Sequence, residues 1–334
     1  MYVAEERLLA LQNSVVKART DLKSKLTRKG ISFNTNDTLR KLISLIPRRI
    51  LVPINLYTEL SGHTAVNLND SEIIFCGGVN GNHSYIQKSY NTNTNTFTSK
   101  KNYPALIINH AGAKWGNVVY YCGGNVYDAN KATDSMYAYN VDNNTFTTKT
   151  NVPTTISYHT FVSTNRYLLI SGGNRHASED LNGQYTYDVR SNSYSRQNNL
   201  KQPSDRLATA HIENEIVLIN GGNDITNNKL NYTFNIGDGV ITTKRDLPIA
   251  RAEHATLKIY NKNVLIVGGF NVTKENTTQL FNTNTNTFTN KRTAPTVWSE
   301  HTLSKAGEDF LISGPTNKQY TYHYDDDTYV ISTS

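Results

Sequence analysis

The chain has 334 residues, 37% of them hydrophobic and 18% charged, which is enough apolar material for one large domain or two ordinary ones. No apolar run reaches the ~18 residues of a membrane span, the first residues lack the apolar stretch and small-residue site of a secretory signal, and the two Cys exclude a disulfide framework. The net charge of +7 sits wholly in residues 1–50, which hold eleven Lys/Arg against four Asp/Glu, so it marks a local segment and not a basic surface spread over the chain.

In that segment Leu8, Leu11, Val15, Ala18, Leu22 and Leu26 recur at spacings of three and four, the apolar stripe of an amphipathic helix. Arg28, Lys29 and Gly30 suit its C-terminal end. Asn36 or Asp37 caps a second, shorter helix carrying Leu39, Leu42, Ile43 and Ile46, and Pro47 ends it. Such helices do not bury their stripes alone. The stripe must meet a second copy, another subunit or the rest of the chain, and Leu8, Leu11, Val15, Leu22, Leu26, Leu39, Leu42 and Ile46 are read as an attachment surface. No helix-turn-helix or aromatic-basic pattern points to nucleic acid.

From residue 57 onward one pattern repeats. Its first mark is a His, at His63, His110, His159, His211, His254 and His301, with intervals of 47, 49, 52, 43 and 47. An apolar run ending in Gly-Gly follows each, at Gly77, Gly123, Gly172, Gly221 and Gly268; a degenerate Ser313-Gly314 stands in the sixth copy. Next comes an aromatic pair seven residues apart: Tyr90 and Phe97, Tyr139 and Phe146, Tyr187 and Tyr194, Phe281 and Phe288, Tyr322 and Tyr329. The fourth copy has Phe234 with Ile241. Asn-Thr turns separate the pair, and Pro104, Pro153, Pro203, Pro248 and Pro295 close units. Each unit predicts four short antiparallel strands, the one before Gly-Gly covered on both faces. Four strands every 40–50 residues predict a β-propeller. The Tyr322–Tyr329 spacing favours the C-terminus for the outer strand of the last unit, with Leu51 to Leu56 as the competing segment or a link from the helices to the ring.

The Gly-Gly, the paired aromatics and the first-strand His resemble the Kelch repeat, here in six copies over about residues 57–334. The expected fold class is all-β: a six-bladed Kelch-type β-propeller of four-stranded blades over 50–334, preceded by an α-helical attachment segment over 1–49. Kelch propellers usually carry Trp at the outer aromatic position, where this chain has Phe, Tyr or Ile.

The recurring His are expected to pack identically in every copy rather than to gather a metal. Cys76 and Cys122 precede Gly-Gly, where other copies have Ser171, Asn220, Val267 and Ile312, which is a packing position. Asp325, Asp326 and Asp327 fill a turn. No catalytic, cofactor or metal residue is assigned. The candidate ligand face consists of the loops after Gly-Gly and the connections between units, with Tyr127, Arg175, His176, Arg206, Arg251 and Trp298 as its expected contact residues, beside Tyr158, Asp128, Glu179 and Asp180.

The long helix, Lys29-Gly30-Ile31, Asp37-Thr38-Leu39 and the helix ending at Pro47 are similar to a segment of many bacteriophage tail and baseplate proteins. That resemblance implies a non-enzymatic virion component, made in the host cytoplasm and located in the tail, baseplate or neck. Its partners would be neighbouring virion proteins, and its propeller would serve decoration or contact with a host cell-wall glycan. The alternative is a carbohydrate-active Kelch enzyme, an oxidase or epimerase. The oxidase chemistry needs copper held by Tyr and His and a Cys-Tyr cross-link, whereas here both Cys belong to the repeat. A host-side interaction protein is a third class, without an accompanying partner domain.

Overall fold

The computed structural model describes residues 60–80, 82–126, 131–174, 182–222, 229–260, 262–271, 273–315, 319–325 and 327–332, and, before them, Val16, Thr20 and Lys23. The chain divides into two compact units, Met1–Leu51 and Val52–Ser334. In the first, the three described residues are helical, and the Thr20 hydroxyl donates to the Val16 carbonyl at 3.0 Å. The expected stripe from Leu8 to Ile46 lies outside the described residues.

The second unit builds six four-stranded antiparallel sheets among its described residues. Each uses four strands in strict chain order, as in Thr64–Asn67, Glu72–Cys76, Gln87–Asn91 and Thr96–Ser99 of the first sheet. The last sheet ends on Thr328–Ser332, where Tyr329 lies across from Tyr322, as the aromatic spacing requires. The first strands follow one another around a ring: Thr64–Asn67, Ala111–Trp115, Thr160–Ser163, Ala208–Glu213, Ala255–Lys258 and Thr302–Ala306, which returns to Thr64–Asn67. Among the described residues no strand is exchanged between the last sheet and the first, and side chains and turns join the two. Asn67 exchanges two hydrogen bonds with the Lys305 backbone, Lys305 pairs with Asp70 at 2.8 Å, and the Gly307 N–H donates to the Asp70 carbonyl.

The core is a set of layers between sheets. The centre of the second strand of each sheet is a continuous apolar run because its successive side chains enter different layers. In Glu72–Cys76, Ile73 and Phe75 join Leu311 and Ala306 of the sixth sheet, while Ile74 and Cys76 join Val119 and Tyr121 of the second.

The Asn-Thr turns carry a staple that repeats around the ring. Asn144, at φ 57°, accepts the Tyr139 hydroxyl of its own sheet and the Lys101 N–H of the preceding sheet, both at 2.7 Å. Asn192 likewise accepts from Tyr187 and Thr150, and Asp327 from Tyr322 and Arg292. The fourth sheet has Gly239 there, and Asn198 of the third sheet donates to its carbonyl instead. Asn144→Gly keeps the left-handed backbone and removes both bonds. Chemical denaturation should show a loss of about 1–2 kcal/mol; an unchanged midpoint would deny the staple a role in stability.

Two sequence alignments need correction. The residue equivalent to the recurring His in the fourth sheet is Leu207, not His211: Leu207 directly precedes the first strand, as the other five His do, whereas His211 lies inside that strand and bonds the Asn214 carbonyl at 2.8 Å. The intervals then become 48 and 47 in place of 52 and 43. In the sixth sheet Ser313, not Ile312, is the counterpart of Cys76 and Cys122, because it pairs with Thr302 as Cys76 pairs with Thr64.

Candidate functional site

The His and the Gly-Gly form one device. Each imidazole wedges between neighbouring sheets, and at His110, His159, His254 and His301 a side chain on the glycine of either sheet would collide with it. A Cβ on Gly221 would lie 2.5 Å from His254 Cε1 and 2.4 Å from the Arg251 carbonyl, and one on Gly269 would lie 2.9 Å from His254 Cβ. The ring edge then meets the residue before the Gly-Gly of the preceding sheet. His254 Nε2 lies 2.7 Å from Asn220 Oδ1, and His159 Nε2 lies 3.2 Å from Cys122 Sγ. His63 donates through Nδ1 to the Leu60 carbonyl, and its Nε2 accepts from the Thr302 and Ser313 hydroxyls. Opposite Leu207, Ser171 turns to Gln184 Oε1 instead, at 2.9 Å. Burial holds these imidazoles neutral: it lowers His63 to about 4, His110 and His301 to about 3, and His254 well below the usual value. Burial pushes the Cys76 and Cys122 thiols up, which leaves them unreactive.

Directly before each wedge stands a residue in the left-handed region: Gly62, Asn109, Tyr158, Arg206, Glu253 and Glu300, with φ between 54° and 64°. Their backbones link in sequence. The N–H of Asn109 donates to the Gly62 carbonyl, Tyr158 to Asn109, Arg206 to Tyr158, Glu253 to Arg206 and Glu300 to Glu253, at 2.8–3.2 Å. This collar encircles the end of the channel lined by the first strands. It surrounds a cavity of about 140 Å³, with the wedge residues as the remainder of its lining. Gly62 shows that glycine fits the collar. The five other positions carry side chains in a conformation that costs an L-residue roughly 1–2 kcal/mol.

Those side chains interact around the rim. The Arg206 guanidinium lies 4.3 Å from the Tyr158 ring centre, and its Nε lies 2.9 Å from Glu253 Oε1. The Ser61 hydroxyl donates to the Glu300 carboxylate. Burial, together with the like charge of Glu300, raises the Glu253 pKa against the opposing pull of Arg206 and Ser299.

The expected contact residues separate. Arg206 is on the collar. Tyr127, Arg175 and His176 lie outside the described residues, as do Asp128, Glu179 and Asp180. Arg251 and Trp298 do not belong to an exposed face: each is 1% accessible. They stand three residues before a wedge, where other copies have Leu60, Ile107, Ile156 and Ser204. Trp298 packs edge-on against Tyr320, with centroids 4.8 Å apart. Arg251 donates to the Gly268 carbonyl and to Gln279 Oε1, both at 2.9 Å, and burial lowers its pKa to about 10. Glu253, Glu300 and Asn109 were missed by sequence reasoning, although each is the residue immediately before a recurring His.

No curated protein matches the chain. The KLHDC2/KLHL20/DRC7 Kelch-repeats domain matches residues 109–315, the stretch that holds the second to fifth sheets, the sixth wedge and the first two strands of the sixth sheet. With more than half of its length covered by that match, and with Gly-Gly, wedge and paired aromatics repeated from sheet to sheet, the chain belongs to the Kelch-repeat family.

Proposed function

We propose that this chain is a non-enzymatic binding protein: a closed six-bladed Kelch propeller that takes its ligand at the collar and is mounted on a larger assembly through residues 1–49. The observation that carries the reading is the collar itself. Five polar side chains are held in a costly conformation around one cavity, on a frame braced by layered cores and staples. The mounting role rests on the localised positive charge and the apolar stripes of residues 1–50. Their resemblance to phage tail and baseplate segments makes the assembly a virion, with the propeller decorating it or contacting the host surface.

Deleting residues 1–49 tests the mounting role. The truncated chain should remain folded, with a cooperative thermal transition, and should fail to enter particles when supplied in place of the full chain. Incorporation at the full-length level would reject the role.

A further inference from the structure

The collar has an imbalance of charge. Among the described residues, Asp205, Glu253 and Glu300 bring three carboxylates to the collar and its margin, where Arg206 lies 3.8 Å from Asp205 Oδ1 and 2.9 Å from Glu253 Oε1. A further cation, Arg251, lies buried and is bonded to the Gly268 carbonyl and Gln279. Glu300 and Glu253 are neighbours on the collar, the charge of Glu300 disfavours that of Glu253, and among the described residues the Glu300 carboxylate receives the Ser61 hydroxyl. His110 also lines the collar cavity from its place between the sheets; it is 5% accessible and has no bonded partner at either ring nitrogen among the described residues. No group of three His, Cys, Asp or Glu among the described residues is arranged to hold a metal ion.

A partly buried excess of negative charge beside an open cavity favours a cationic ligand. Arg206 already covers the face of Tyr158, which leaves the Glu253–Glu300 side for the incoming charge. A volume of about 140 Å³ admits an aminoalkyl chain end and no folded segment.

We infer that the channel mouth binds a lysine side chain of a partner protein, with its ammonium group held between Glu253 and Glu300. This inference rests on the collar being the ligand site.

The test is calorimetric titration of the full-length protein with a doubly capped Gly-Lys-Gly peptide, its Nε-acetyl form, the matching Glu peptide and glucosamine. The lysyl peptide should bind. Acetylation should weaken it about tenfold or more, and Glu253→Gln and Glu300→Gln should each do the same, since a close charge pair is worth ~1.5 kcal/mol or more. The melting temperatures of both variants, measured in parallel, should match that of the parent. Equal binding of the acetylated peptide, or binding of glucosamine in place of the lysyl peptide, would overturn the inference. Binding of the Glu peptide that is lost in Arg206→Gln would overturn it too, yet would leave the collar as the ligand site. No binding by any of the four probes would also overturn it, and whether the collar binds anything would then be decided by ligands from a wider screen.

Discussion

Acidification from pH 7 to pH 4 is expected to remove most of the propeller's stability. His63, His110 and His301 are buried between blades with pKa values of about 4, 3 and 3, against 6.5 for a free imidazole. The sign follows from proton binding. Below pH 6.5 the unfolded chain takes up protons that the folded chain refuses, so stability falls as pH falls, and the loss levels off only below the folded values. At pH 4 each of these residues costs about 3 kcal/mol. Three such costs rival the ~5–15 kcal/mol by which a typical domain is stable. Thermal unfolding between pH 7 and pH 4 should show the melting temperature falling steeply below about pH 6.5. His110→Leu should flatten that fall, because His110 has no bonded partner among the described residues and Leu207 fills the equivalent wedge in the fourth blade. An acid limb of unchanged slope in this variant would show that the wedges are not its cause.

Gly221→Ala should be far more damaging than Gly116→Ala, although the two glycines have nearly the same φ, 59° and 58°. At Gly116 a methyl group would meet nothing within 4 Å, so only the backbone cost of roughly 1–2 kcal/mol applies. At Gly221 the methyl would fall 2.4 Å from the Arg251 carbonyl and 2.5 Å from His254 Cε1. Neither neighbour can retreat, since the carbonyl accepts the Gly222 N–H and the imidazole is wedged between blades. Overpacking adds about 1–3 kcal/mol. Denaturant titration of the two variants separates the terms. Equal losses would mean that Gly-Gly is kept for its dihedral angles alone and not for the approach of the wedge.

Much of this architecture was legible in the sequence because a repeat exposes its rules by repetition. Continuous apolar runs such as Val264 to Val267 marked strands covered on both faces, and they do enter two different layers. The spacing of Tyr322 and Tyr329 correctly gave the outer strand of the last blade to the C-terminus. Where identity and position disagreed, reading by residue type misled. His211 drew the eye from Leu207, although the uneven intervals of 52 and 43 already argued against it. Arg251 and Trp298 suggested an exposed contact face, because Arg and Trp are common at interfaces. Their register, three residues before a wedge, placed them with Ile107 and Ile156 in the interior.

The staples and the collar were hidden for a different reason. Asn144 bonds Lys101 of the preceding blade, and Glu253 meets Arg206 of the preceding blade and Glu300 of the next. Such contacts join residues more than forty positions apart, and their geometry depends on how one blade is set against another. Pattern within a single repeat carries no information about that setting.

The most direct test of the account is an array of peptides and glycans probed with the full-length protein and two variants. One variant combines Tyr158→Ala with Glu300→Gln on the collar. The other, Tyr260→Ala, alters an exposed aromatic beyond the opposite end of the fifth blade's first strand. The account predicts that ligands captured by the parent are lost by the collar variant and kept by Tyr260→Ala. Ligands retained by the collar variant and lost by Tyr260→Ala would place the binding face at the other end of the channel and contradict the account.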